Sequence, residues 1–365
     1  MARFYPMTLI ALVTFIGMGY IMVYYTSEPI HTDLDINSEE LKKIPDGFRI
    51  THPVKLEDKS VIPVNVLLCS DHHTIGGLIT TINSIRMNTK VPVKYYIVLD
   101  KSSINHVNKW ITDSILKDID YTIIAFNDTA MREKMHPKDV RSDLRETSPL
   151  NYARFYFPKI IPEVKGRLVF VDSDTVVQGN IGELNNTKIE AGNALALSDD
   201  CTATSSRYGF FKTNYGSYIN FNHPQVKAMT MNPLECSFNA GVFVVDIDEW
   251  KKQGITARID YWIKLNAHEN VYGNQRAGGA TAPPLMIVVY KKYSKIDPMW
   301  HIRHLGLTSG TRYSQSFIQA AKLIHWSGNF KPWGRTSQHT QAWEKYFVVD
   351  PTGQFKLVRR YNLIE

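Results

Sequence analysis

The sequence predicts an α/β fold built on a mostly parallel sheet covered by helices on both faces. Three observations predict it: short runs of apolar residues alternate with stretches of helical spacing, the runs are apolar on both sides, and several end in polar or acidic residues. With 365 residues, 44% of them hydrophobic and 12% aromatic, the chain can bury a sizeable core, which excludes a disordered or disulfide-stapled miniature protein.

The elements follow in order. Met7 to Tyr25 is a run of 19 residues without a charge. As a helix it would reach roughly 28 Å, enough for the hydrocarbon core of a bilayer. Arg3 precedes it, whereas Glu28, Asp33 and Asp35 follow, so the positive-inside bias leaves residues 1–6 as a cytosolic tail and sends the rest across the membrane. The run is long for a secretory signal and no A-x-A-like cleavage site follows, so an uncleaved signal anchor over 7–25 is expected, although a secreted form is the other reading. Residues 26–60 are charged, punctuated by Pro29, Pro45 and Pro53, and read as a stem.

A domain over 61–350 begins with Val64 to Cys69, a strand that runs into Ser70 and Asp71. Gly76 to Met87 places Leu78, Ile79, Ile82 and Ile85 at helical spacing. Tyr95–Asp100 and Tyr121–Ala125 are further strands, with a helical stretch between them to about Lys117. Open sheets of this kind bind ligands at the carboxyl ends of their strands, where Ser70 and Asp71 fall. Neither a G-x-G-x-x-G turn nor a Walker A lysine loop is present, so the usual dinucleotide and P-loop readings fail. Residues 351–365 read as a tail.

Composition sets further bounds. Lys and Arg exceed Asp and Glu by 42 to 35, and the pI is near 9.0, yet no basic block of five or six occurs, which argues against a nucleic-acid partner. Cys69, Cys201 and Cys236 contain no C-x-x-C pair, so a thiolate zinc site is not expected, and the chain can form at most one internal disulfide, its pairing open. The sequons at Asn127 and Asn185 are candidate N-glycosylation sites and suit a lumenal compartment.

The most informative segment is Arg167 to Val177, where a buried apolar strand runs directly into Asp172, Ser173 and Asp174. Residues i and i+2 share a face on an extended chain, so a bend after the strand lets both acids converge on one hard cation. A D-x-D by itself is common in turns. A second cluster, His325 to Trp333, follows the apolar run Ala321–Ile324 and adds an imidazole from His325, a flexible Gly328 and a cationic Lys331. Each alone has an ordinary structural explanation; together they describe a site for a metal-bound diphosphate. Two carboxylates with an imidazole suit Mn²⁺, with Mg²⁺ as the alternative.

These segments resemble glycosyltransferase family 8, which includes glycogenin, bacterial galactosyltransferases and animal domain-containing members. The resemblance is carried by Asn151-Tyr-Ala-Arg-Phe155, Leu168-Val-Phe-Val-Asp-Ser-Asp174, Phe238-Asn-Ala-Gly-Val-Phe-Val-Val245 and His325-x-x-Gly-x-x-Lys-Pro-Trp333, in order, over roughly Val61 to Val349. It implies a GT-A, Rossmann-like domain that uses a UDP-sugar and Mn²⁺ and retains configuration at the anomeric carbon, in the Golgi or the ER. On that mapping Asp172, Asp174 and His325 ligate the ion. Gly328 and Lys331 hold the diphosphate, and Cys69, Ser70, Asp71 and Ser173 lie on the donor side. Arg154, Asn239 and Ala240 stand near the donor sugar. Arg154, Asp174 and Lys331 are the expected catalytic residues.

The acceptor, a glycan, protein or lipid, cannot be carried over, and a homo-oligomer is left open. Two departures are visible. Thr74 stands where bacterial members often place an aromatic to stack on uracil, and the loop Gly273–Thr281 holds Gln275 but no acid where those members carry an acid-Gln-Asp run. A binding module that keeps the fold without turnover is therefore the alternative. His72 and His73 are expected to point apart, His301, Arg303 and His304 to form a solvated surface, with a basic rim near the acceptor as the other reading, and Trp250, Tyr261 and Trp262 to pack helices.

Overall fold

The computed structural model describes residues 44–54, 61–135, 148–201, 213–272, 281–307 and 313–358. All of them belong to the unit spanning 41–365; residues 7–25, and most of the stretch read as stem, lie outside the described residues. Among the described residues no helix is long and apolar enough to cross a membrane.

One sheet of eight strands organises the unit. The strands are β1 (Arg49–His52), β2 (Val64–Ser70), β3 (Val93–Leu99), β4 (Asp120–Ala125), β5 (Arg167–Val171), β7 (Leu195–Asp199), β8 (Phe238–Asp246) and β9 (Ser294–Lys295), in the order β1-β4-β3-β2-β5-β8-β7-β9. The block β4-β3-β2-β5 is parallel, while β8 runs antiparallel between β5 and β7, and β1 closes one edge antiparallel to β4. The sheet is therefore mixed around a parallel centre. β6 (Thr175–Val177) and β10 (Leu323–His325) form a separate antiparallel ribbon.

Burial of both faces explains why the central strands are apolar without interruption. Along β5, Leu168 and Phe170 enter the core on one side, while Val169 and Val171 enter the core on the other. β2 divides in the same way, with Leu67 and Cys69 against Val66 and Leu68. Three longer helices are α1 (Ile75–Asn88), α2 (Ile104–Thr112) and α3 (Ile255–His268). Both Gly76 and Gly77 on α1 lack space for a side chain: a Cβ on Gly77 would stand 2.3 Å from the Ser173 carbonyl. The helix can thus lie against the loop that carries the paired acids.

Several expectations change here. The folded unit starts before residue 61, because β1 and the partly buried Ile44 and Ile50 come from the stretch read as stem. β1 is short and mostly exposed, so its sequence carries little apolar signal. The stretch read as a C-terminal tail contributes Phe355, whose ring packs beside Trp110 and Phe347 and over Gly76. Cys201 and Cys236 form the disulfide, with Cα atoms 5.6 Å apart, and Cys69 is buried and free. Trp250 and Trp262 are buried, but Tyr261 is half exposed and its hydroxyl meets Gln225.

Candidate metal and donor site

The paired acids follow β5 at its carboxyl end, held from both sides by backbone hydrogen bonds. The Asp172 N–H donates to the Gly241 carbonyl at 2.8 Å, and the Trp326 N–H donates to the Asp174 carbonyl at 2.9 Å. Beneath the loop, the Thr81 hydroxyl on α1 donates to the carbonyls of Ser173 (3.2 Å) and Thr175 (2.7 Å). The bend the sequence requires is thereby fixed by β8, β10 and α1 together.

The β6/β10 ribbon aligns His325 with Thr175, the residue after Asp174. His325, 151 positions beyond Asp174 in the chain, is consequently brought to the two acids. His325 Nε2 lies 2.9 Å from Asp174 Oδ1 and 3.8 Å from Asp172 Oδ2, and one ligand atom from each of the three residues falls within 4.8 Å of the others. Among the described residues this is the only cluster of three or more histidine, cysteine or acidic side chains so arranged. Two carboxylates and one imidazole form a donor set that fits a Mn²⁺- or Mg²⁺-sized ion. The cradle is kept open by Gly241, where a Cβ would lie 2.5 Å from His325 Cε1 and 2.6 Å from Asp172 Oδ2.

Two cations flank the acids. Arg154 Nη2 binds Asp172 Oδ1 at 2.8 Å, its Nη1 donates to the Ala240 carbonyl at 3.0 Å, its Nε donates to the Asn151 carbonyl at 2.8 Å, and the guanidinium lies over the Phe170 ring. Lys331 Nζ meets Asp174 Oδ2 and donates to the Trp326 carbonyl at 3.1 Å. Burial raises the pKa of the Asp172 carboxyl against the pull of Arg154, and the neighbouring Asp174 raises it further. Burial would raise Asp174 as well, but His325 and Lys331 outweigh it and hold that carboxyl well below the usual range.

The remaining expected residues take defined places. Asn239 Oδ1 accepts from the Gly241 N–H at 2.8 Å, so it shapes the turn that carries Ala240 and Gly241. Ser173 is buried with its carbonyl on Thr81. Gly328 has φ of +113° and forms a parallel bridge with Gly306, where any side chain would strike the facing backbone. Ser70 Oγ contacts Thr74 Oγ1 at 2.8 Å, and Asp71 Oδ1 accepts from the His73 N–H and the Thr74 hydroxyl, both at 3.1 Å. Thr74 thus closes the turn after β2 where an aromatic would offer a stacking face. Cys69 is buried, which pushes its thiol up to about 12 despite Arg154, so it is protonated at neutral pH. The loop with Gln275 lies outside the described residues.

Two expectations are corrected. His72 and His73 do not point apart: the chain turns after β2 instead of staying extended, and their exposed rings come within 3.7 Å of each other. His301, Arg303 and His304 do not form a solvated surface. Arg303 is fully buried, bound to Asp200 Oδ1 at 2.6 Å and to the carbonyls of Ser198 and Asp199, both at 2.9 Å. Burial, with Arg303 adding to it, holds the pKa of His301 well below the ordinary imidazole value and that of His304 at about 3. His301 Nε2 lies 2.9 Å from His325 Nδ1. The one signal for this burial was the apolar company of the segment, Trp300, Ile302 and Leu305, all buried.

The comparisons with known proteins agree with this geometry. Residues 65–337 match the family described as Glycosyl transferase family 8. The chain belongs to that family. It is 40% identical over 321 residues to glycosyltransferase 8 domain-containing protein 1 of Bos taurus, covering 87% of this chain and 86% of the relative. The Homo sapiens protein of the same name is 41% identical over 305 residues, covering 82% and 81%. Domain-containing protein 2 of Bos taurus is 39% identical over 309 residues, covering 84% and 86%.

Solved structures share the fold at low identity. The bifunctional glycosyltransferase WbbM superposes with a TM-score of 0.57 at 18% identity over 82% of this chain and 52% of its own. The galactosyltransferase LgtC, in complex with donor and acceptor sugar analogs, superposes with a TM-score of 0.53 at 14% identity over 78% and 95%. This family member thus carries a GT-A-like glycosyltransferase fold with an Asp-Asp-His cluster at the carboxyl end of its central strand.

Proposed function

We propose that the protein transfers a hexosyl or pentosyl group from a UDP-sugar to a glycan, protein or lipid acceptor, with retention at the anomeric carbon. A divalent ion, Mn²⁺ or Mg²⁺, is held by Asp172, Asp174 and His325. The observation that carries this reading is the charge count around the acids. Asp172 and Asp174 are matched by Arg154 and Lys331. A divalent ion brought into that balanced site calls for an anion to offset it, and the diphosphate of a nucleotide sugar is such an anion.

When bound, the ion supplies Lewis-acid stabilisation to the leaving diphosphate. Arg154 orients Asp172 and opposes the burial that raises its pKa. Lys331 has a flexible stem and a partly exposed side chain, so its ammonium can exchange Asp174 for a leaving phosphate oxygen. Retention takes either a carboxylate nucleophile on the opposite face of the sugar or same-face attack with the leaving phosphate accepting the acceptor's proton, and the family resemblance favours the second. Residues 7–25 serve as an uncleaved signal anchor that places the domain in the lumen of the Golgi or ER. The Cys201–Cys236 disulfide and the sequons at Asn127 and Asn185 suit that compartment.

The test uses purified protein with a panel of UDP-sugars. With Mn²⁺ it hydrolyses at least one of them slowly, and chelation or Asp174→Ala abolishes the hydrolysis. If no UDP-sugar is hydrolysed and none raises the melting temperature in the presence of Mn²⁺, the reading fails.

A further inference from the structure

His301 lies buried just before the short bridge that fixes its distance from β10. Ile302 bridges Ile324, the Ile302 N–H donates to the Leu323 carbonyl at 3.0 Å, and the His325 N–H donates to the Ile302 carbonyl at 2.7 Å. The two rings are nearly parallel and meet edge to edge, with centroids 5.2 Å apart and planes within 11°. His301 Nε2 and His325 Nδ1 are 2.9 Å apart, in a contact that excludes water.

Two imidazole nitrogens in hydrogen-bond contact have one proton between them, so the ring that donates it fixes the other as acceptor. His325 turns its Nε2 toward Asp174 Oδ1 and Asp172 Oδ2. For that nitrogen to offer a lone pair to a cation, the His325 proton must sit on Nδ1, and the atom placed to accept it is His301 Nε2. We infer that His301 is a positioning residue for the ion site, its Nε2 accepting the Nδ1–H of His325 and holding the Nε2 lone pair toward Asp172 and Asp174. The inference rests on the divalent-ion reading above.

A histidine that ligates a metal commonly donates its second N–H to a carboxylate or a carbonyl, which fixes the ring and its tautomer. A neutral imidazole does the same here without adding charge. The charge balance that Arg154 and Lys331 set against the two acids is thereby left unchanged. The arrangement has one cost. With its Nε2 accepting, His301 carries its own proton on Nδ1, and that atom is buried without a hydrogen-bond partner. The interior tolerates an orphaned N–H at the point where the ion's ligand needs an acceptor.

The experiment measures Mn²⁺ binding to the full-length protein by the electron paramagnetic resonance signal of the free aqueous ion, alongside the melting temperature. His301→Phe keeps a flat ring in the buried position and removes the acceptor; it is expected to weaken Mn²⁺ binding by about 10- to 100-fold while the protein still unfolds cooperatively. His301→Leu removes the acceptor at smaller volume and takes its place if phenylalanine does not fit. His301→Gln places Oε1 near the former Nε2 and is expected to recover most of the affinity. If the acceptor-free variant binds Mn²⁺ as tightly as the wild type, or if His301→Gln binds as weakly as His301→Phe, the inference is overturned and the proposed function stands. A wild-type protein that binds no Mn²⁺ overturns both.

Discussion

Gly241 offers the sharpest test of the site because its substitution adds one methyl group and nothing else. Its φ is not in the left-handed region, so alanine meets no backbone penalty there. The new Cβ would stand 2.6 Å from Asp172 Oδ2 and 2.5 Å from His325 Cε1, where ordinary contacts begin near 3.4 Å. Both side chains must therefore retreat to restore ordinary contact, Asp172 by about 0.8 Å and His325 by about 0.9 Å. Neither can do so freely. Asp172 is gripped by Arg154 and His325 by the Ile302 carbonyl and His301. The overpacking should cost about 1–3 kcal/mol, a loss that a fold of ordinary stability survives. Ligand geometry tolerates only about 0.5 Å of displacement, so Mn²⁺-dependent hydrolysis of a UDP-sugar should fall on the order of 100-fold. Paired measurements on Gly241→Ala, its melting curve and its Mn²⁺ titration, separate the two effects. Wild-type affinity and wild-type turnover in a folded Gly241→Ala protein would refute the assignment of the cradle.

Two further predictions concern charged groups away from the donor site. Arg303→Met removes the buried cation that faces Asp200 and should lower stability in urea unfolding by about 3–5 kcal/mol; a loss below about 1 kcal/mol would show that the pair is dispensable. Asp350 takes hydrogen bonds from the Phe355 and Thr352 N–H groups and faces His106, and these outweigh burial to lower its pKa. Because the folded pKa is the lower one, its stabilising contribution is complete above about pH 4 and disappears as the pH falls through the folded value. Asp350→Asn should therefore differ from the wild type at pH 6, with the difference shrinking as the pH falls below the ordinary carboxylate range; a difference that grows on acidification would reverse the sign.

The parallel centre was legible because a strand buried on both faces has no polar position to spare. β2, β3, β4 and β5 each announce themselves as apolar runs. Strand direction is another matter. β8 is as apolar as β5, yet it runs antiparallel between β5 and β7, and nothing in side-chain character distinguishes the two directions. β1 and β9 escape a reading by pattern for a different reason. β1 has four residues and is mostly exposed, and β9 has only two, so backbone pairing defines them and side chains do not.

At the site, the acids were legible because charge at the end of a buried strand needs a compensating partner, and the imidazole because it too ended an apolar run. What the sequence could not show is which cations would compensate the acids and how. Arg154 and Lys331 were read as groups for the donor sugar and the diphosphate, yet both engage Asp172 and Asp174 directly. The two readings are compatible on electrostatic grounds. A lysine that neutralises a carboxylate in one state can neutralise a phosphate in the next, since both partners are anionic oxygens and its stem is flexible. Arg154 differs. Its guanidinium is fixed by the Asn151 and Ala240 carbonyls and by the Phe170 ring, so leaving Asp172 would sacrifice several contacts together. Of the two cations, then, Lys331 is the one suited to follow a leaving group, and Arg154 is the one suited to hold the acids still while it does.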